Sequence, residues 1–313
     1  MQLKKLPVVF LLGPTASGKT EWAIEWHKQF ERIEIISVDS VMIYRGCDIG
    51  SAKPTADILK KHPHHFINFT TLDSIFSVAD FCKEALQCIE SIHQRNNIPI
   101  LVGGSMMYFN LLKNGITSLP SADSNFREGL EIRIKTDGID SLYSELLTLD
   151  AMVASRIMPQ DTQRIIRALE IIYLSSSGEP NHSMGSLSDP LSDKYNLYEY
   201  GIFPKDRDLL HKRIEARQHL LLEGLLEEVR GLQAEYHVSS DHPAMKAVNY
   251  RQALQVINGE LKEIDLFEKS LYATRQLAKR QCTWMRSWEN LHTFDIDEFD
   301  QASKHLKKQL NFA

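Results

Sequence analysis

Apolar residues recur along the first third of the chain with two alternating periods. Apolar-rich runs at 8–12, 33–38 and 98–102 are separated by stretches, 21–30 and 77–95, in which apolar positions return every three or four residues. Runs of that length suit strands covered on both faces, and the helical periods between them predict βαβα crossovers, hence a parallel sheet flanked by helices. In the second of these helices Phe81, Ala85, Cys88 and Ile92 share one face, behind Ser77 as the N-cap.

From about 119 to 195 the strand pattern stops. Helices are predicted over 121–136, 138–149 and 161–174, followed by a Ser/Gly/Pro/Asn-rich loop over 175–193. A strand run returns at 198–203, then a long helix over 206–230, another over 266–288 and a short strand over 291–295. The expected division is a sheet-bearing domain made of 1–118 and 196–313, interrupted by an all-helical insertion at 119–195.

Composition narrows the class. At 313 residues, with 43% hydrophobic and 25% charged residues, the chain can bury a substantial core. Its net charge of −5 means that any polyanion must be met by a local basic surface. The apolar run after Lys4 and Lys5 is too short for a secretory leader, and no stretch approaches the roughly 18 apolar residues that span a bilayer. Cys47, Cys82, Cys88 and Cys282 form no C-x-x-C pair. They are expected as free thiols in a cytoplasmic protein, with no membrane partner and no zinc site.

The first chemical signature lies between the first strand and the first helix. Gly13-Pro14-Thr15-Ala16-Ser17-Gly18-Lys19-Thr20 fits G-x-x-x-x-G-K-[ST], the P-loop pattern. Its glycines let successive backbone N–H groups turn inward, the helix N-terminus adds its positive dipole end, and Lys19 reaches the terminal phosphate. Thr20 would give a hydroxyl to Mg²⁺. The fold expected is therefore α/β and P-loop NTPase-like. Nucleotide hydrolysis by such a loop needs an acid at the end of a central strand to hold Mg²⁺, yet the run at 98–102 ends in Gly103-Gly104-Ser105. The acid stands instead at the tip of the second strand, as Asp39. There it can hold Mg²⁺ through water, take a proton from a nucleophile, or merely cap the next segment.

Basic residues gather in three places. Gln163, Arg164 and Arg167 share a helix face in the insertion, and Arg213 and Arg217 lie four apart with one of them free to turn toward the phosphate crevice. Arg275, Lys279, Arg280 and Arg286 occur with no acid between Ser270 and Ser287, and Arg280, Trp284 and Trp288 align at helical spacing. Solvated faces and core aromatics are the ordinary readings of such patterns; base stacking is the functional one.

Taken in order, GPTASGKT at 13–20, SVDSVMIYRGCDIGSAKP at 37–54, HHFIN at 64–68, PILVGGSMMYF at 99–109, LPSAD at 119–123, QRIIRALEI at 163–171, DRDLLHKRIEAR at 206–217 and ATRQLAKRQCTWMR at 273–286 resemble the bacterial tRNA dimethylallyltransferases. The resemblance implies attack by N6 of the adenine immediately 3′ of the tRNA anticodon on C1 of dimethylallyl diphosphate, with release of pyrophosphate. A loop that holds a leaving diphosphate needs no hydrolytic acid. By the same resemblance Asp39 is the general base, Thr15 donates to the bridging oxygen, Arg217 faces the diphosphate, and Thr20 is the Mg²⁺ contact. The positions implied for the anticodon stem-loop are Asp39, Ser40, Val41, Met42, Ser105, Arg127, Gln163, Arg164, Ile165, Ile166, Arg167, Lys246, Ala247, Val248, Asn249, Tyr250 and Arg251. A monomer is expected. Two departures stand out: Asn249 replaces the family's usual glycine, and Ser105 its usual threonine. A small-molecule P-loop kinase and an RNA-binding protein with a vestigial loop are the rival classes.

Overall fold

In the computed structural model, which describes residues 5–115, 120, 122–176 and 190–311, the chain runs β1 (Pro7–Leu12), α1 (Lys19–Gln29), β2 (Ile33–Val38), α2 (Ala56–Lys61), β3 (His64–His65), α3 (Val78–Gln94), β4 (Ile98–Gly103) and α4 (Met106–Asn114), of which α2, β3 and α4 are not among the expected elements. Four helices follow, α5 (Ser124–Asp137), α6 (Ile139–Leu149), α7 (Ala151–Ala154) and α8 (Thr162–Ser176). The chain then continues with α9 (Leu191–Lys194), β5 (Asn196–Ile202), α10 (Arg207–Leu222), α11 (Leu225–Tyr236), α12 (Tyr250–Ile257), α13 (Leu266–Arg286), β6 (His292–Phe294) and α14 (Phe299–Leu310).

The six strands form one sheet in the order β3-β2-β4-β1-β5-β6, and every pairing is parallel. Val8 to Leu12 are wholly buried, which is why β1 is apolar at every position rather than at alternate ones. Trp26 of α1 seals one face: it packs edge-on against Tyr200 of β5 and donates from Nε1 to Ser303 Oγ of α14 at 2.8 Å. At the end of β4, a side chain on Gly103 would bring its Cβ within 2.0 Å of the Val38 carbonyl, so only glycine lets β2 and β4 close up there.

Two compact units result, Met1–Gly115 with Asp189–Ala313, and Ile116–Ser188. The return to the sheet-bearing unit thus precedes the expected position 196, because α9 already packs on α4 and buries Leu191 ahead of β5. The helical unit has its own core of Leu130, Leu142, Leu146, Ile165 and Leu169. Most of the loop expected at 175–193 lies outside the described residues. No helix among the described residues is long and apolar enough to cross a membrane.

The single helix expected over 206–230 is two. Gly224 takes φ +81° between α10 and α11, and a Cβ there would come within 3.1 Å of Ile49 Cδ1. Helical spacing of apolar residues runs straight through this break, so the pattern alone conceals it.

Candidate active site

Strand β1 ends on the glycine-lysine loop, and α1 begins inside it at Lys19. Ala16 and Gly18 take positive φ, 62° and 94°, which turns successive amides inward. No side chain caps α1, leaving its first-turn N–H groups to a ligand. Ser17 Oγ is buried beside them with no partner among the described residues. Inward amides, an uncapped helix start and a buried hydroxyl together form a donor set that suits an anion.

Two distant helices hold the loop in shape. Gln281 of α13 accepts from the Thr15 N–H at 2.8 Å and donates to the Gly104 carbonyl at 3.0 Å, tying the loop to the end of β4. Both arginines of α10 turn toward the loop, not one: Arg213 Nε donates to the Ala16 carbonyl at 2.8 Å, and Arg217 donates to Thr15 Oγ1 at 3.5 Å. Because Thr15 Oγ1 accepts there, its own proton stays available to donate. Gln281 had no role in the sequence reading; its only signal was membership of the block at 273–286.

The charges interact closely. Burial pushes the Lys19 ammonium down to about 8, with Arg217 adding to the effect and Asp39 and Glu21 opposing it. Burial also lowers Arg217, against the pull of Glu21 and Asp39. Asp39 follows β2 directly, and its Oδ1 accepts from the Val41 and Met42 N–H groups at 2.8 and 3.0 Å. The capping reading is therefore correct for one oxygen. Oδ2 has no partner among the described residues, so the second oxygen is free for chemistry.

One cavity of about 890 Å³ is lined by Thr15, Lys19, Thr20, Asp39, Ser105 and Arg217, together with Ser40 to Met42 and Lys246 to Arg251. Its far wall is built by buried polar contacts. Asn249 adopts φ 74°, donates to the Gly50 carbonyl at 2.8 Å and accepts from Gln218 at 2.9 Å. Asparagine thus keeps the left-handed backbone open to glycine and adds two hydrogen bonds. Tyr250 is wholly buried and donates to Glu228 Oε1 at 2.7 Å, while Glu228 also receives the N–H groups of Asp48, Ile49 and Gly50. Lys246 and Arg251 are exposed at the rim.

In the helical unit Gln163 and Arg164 are exposed, and Arg164 pairs with Asp161 one turn earlier. Ile165 and Ile166 turn into the core, so what they offer a ligand is the placement of their neighbours. Arg127 grips the buried Glu170 through two bonds of 2.9 and 2.8 Å, and Arg167 joins it. Burial alone would raise the Glu170 carboxyl, but hydrogen bonds from Arg127, Arg167 and the Asp123 N–H hold it below its ordinary value. These two arginines therefore brace α5 on α8 before they meet any partner.

Several of the basic and aromatic residues singled out at the end of the chain already have partners within the fold. Arg275 is neutralised by Glu215 at 2.8 Å, Arg286 lies over the Phe203 ring, and Trp288 is held by Glu199 and covered by Lys113. Trp284 remains 41% exposed, so only part of the expected aromatic row is presented.

A protein-family model described as IPP transferase matches residues 42–288. The tRNA dimethylallyltransferases of Nitrosomonas eutropha and Nitrosomonas europaea are each 42% identical to this chain, over 288 and 293 residues. Those alignments cover 92% and 93% of this chain and 90% and 92% of the relatives. The crystal structure of the full-length tRNA isopentenylpyrophosphate transferase of Bacillus halodurans is 32% identical with a TM-score of 0.70, covering 98% of this chain and 97% of its own. A eukaryotic dimethylallyltransferase captured acting on tRNA has the same fold, with a TM-score of 0.74 at 24% identity over 97% of this chain and 77% of its own. The match to the family model, and 42% identity across nearly the full length of both relatives, place this chain in the IPP transferase family, with the tRNA dimethylallyltransferases.

Proposed function

We propose that the protein transfers a dimethylallyl group from dimethylallyl diphosphate to N6 of the adenine immediately 3′ of a tRNA anticodon, releasing pyrophosphate. The observation that carries this reading is the shared cavity: a P-loop and a carboxylate with one free oxygen line the same space. An exocyclic adenine amine is a poor nucleophile, because its lone pair is delocalised into the ring. Asp39 Oδ2 takes the N6 proton as the C–N bond forms. The C–O bond to the diphosphate breaks, and Thr15, Lys19, Arg217 and the loop amides receive the charge that develops on the departing oxygen.

Mg²⁺ fits this donor set. Among the described residues no cluster of three or more His, Cys, Asp or Glu could hold a metal by itself. Mg²⁺ is commonly bound through one or two protein oxygens plus substrate phosphates and water. The Thr20 hydroxyl would hold it, and when bound the ion neutralises part of the diphosphate charge. An acidic chain needs local polar and basic surface to meet an anticodon stem-loop: the helical unit offers exposed Gln163 and Arg164, on helices that Arg127 and Arg167 keep in register, and the sheet-bearing unit offers exposed Lys246 and Arg251.

Incubation with dimethylallyl diphosphate and an unmodified anticodon stem-loop, followed by digestion to nucleosides, is expected to give N6-dimethylallyladenosine and pyrophosphate in equal amounts. Cleavage of ATP between its β and γ phosphorus atoms in step with product would overturn the reading.

Lys19 sets a pH dependence. In the free protein its ammonium is lowered to about 8, where half of it has lost its proton, and a bound anion raises that value. Binding then takes up a proton at alkaline pH, so affinity falls as pH rises through about 8. The slope approaches roughly tenfold per pH unit until the raised value is reached. Calorimetric titration of pyrophosphate between about pH 7 and pH 9.5 checks this, and a flat affinity would remove Lys19 from the contact.

A further inference from the structure

A second cavity of about 470 Å³ lies beside the main one, with Val248, Arg251 and Arg280 lining both. Its size falls within the roughly 300–1,000 Å³ of small-ligand pockets. Arg251, Lys269 and Arg280 bring three exposed cations to it, and none has an ion-pair partner among the described residues. Arg275, on the same helix, is by contrast neutralised by Glu215. Uncompensated cations converging on one hollow of a chain with net charge −5 call for an anion.

The other walls say which kind. Tyr272 is 65% exposed and lines the hollow, giving an open aromatic face. Gln255 and Gln276 add half-buried carboxamides, each able to donate and accept. Cations for phosphate, a ring for stacking and amides for a heterocycle edge together match one nucleotide. An acidic peptide would use the cations and leave the ring and the amides idle. We propose that this second cavity holds a nucleotide next to the target adenine in the same RNA strand, its base on Tyr272 and its phosphate among Arg251, Lys269 and Arg280. The inference rests on the proposed function, because the adjoining cavity is where the target base would enter. Filling the pocket anchors the strand while its neighbour is turned out toward Asp39.

Fluorescence anisotropy with a labelled anticodon stem-loop tests this without any product being formed. Tyr272→Ala is expected to weaken the intact stem-loop about tenfold, since stacking a base on one aromatic ring is worth that order. A stem-loop abasic at the correct neighbour of the target adenine should bind the unaltered protein about tenfold more weakly and show no further loss with Tyr272→Ala. An unchanged melting temperature checks that truncating this exposed ring leaves the core intact. Equal losses on intact and abasic RNAs, or no loss on either, would overturn the pocket assignment. Coupling in binding without any dimethylallyl transfer would instead strike the proposed function alone.

Discussion

Asp39→Asn is expected to lower the single-turnover rate of dimethylallyl transfer by roughly 10² to 10⁴, with pyrophosphate affinity near that of the unaltered protein. Asparagine is the informative substitution because Oδ1 of Asp39 has structural work: it accepts from the Val41 and Met42 N–H groups. The carboxamide oxygen can keep both bonds while the second atom becomes an NH₂ that cannot take a proton. Asp39→Ala removes the turn as well as the base, so it should also weaken RNA binding through Ser40 to Met42. Rapid-quench measurement with saturating substrates separates the two effects. Full activity in Asp39→Asn would leave Asp39 a capping residue and nothing more.

The sheet was readable because its strands are buried on both faces. Five consecutive wholly buried residues in β1 must all be apolar, and this is a pattern no surface element shows. β3, with two residues, and α2, with six, are too short to impose a period, and both escaped the sequence reading. The break at Gly224 escaped for another reason. A glycine in a helical pattern is tolerated often enough that only its positive φ in the structure shows it to be a stop.

At the site, the P-loop was legible because it is contiguous and its spacing follows from geometry. Asp39 was legible as a strand-end acid, yet its two oxygens could be told apart only from the hydrogen bonds of Val41 and Met42. Gln281 was not legible. It joins Thr15 and Gly104 across the fold from a helix far along the chain, and a carboxamide among lysines and arginines carries no pattern of its own. The charged residues carry structural ties that their pattern does not show. Arg127 and Arg167, read as partners for an RNA, are also tied to Glu170, and Arg213 is a loop ligand alongside Arg217. Sequence gives the sign of a charge; only packing shows whether that charge has been used.

Arg217 carries the second large expectation. Its guanidinium reaches the Thr15 hydroxyl and sits close enough to depress Lys19, so it acts on two groups of the glycine-lysine loop. Arg217→Ala should lower the single-turnover rate by roughly 10² to 10³, the scale of losing one donor aimed at developing charge. Arg217→Lys keeps the charge without the planar fork and should fall between. A purely structural loss would stop there. Removing Arg217 also removes a like charge beside Lys19, so the alkaline limb of pyrophosphate affinity should move to higher pH in Arg217→Ala and stay nearly in place in Arg217→Lys. Rate loss with an unmoved limb would mean that Arg217 holds the loop in shape from a distance, whereas rate loss with the limb displaced upward puts its charge beside Lys19 in the bound state as well as the free one.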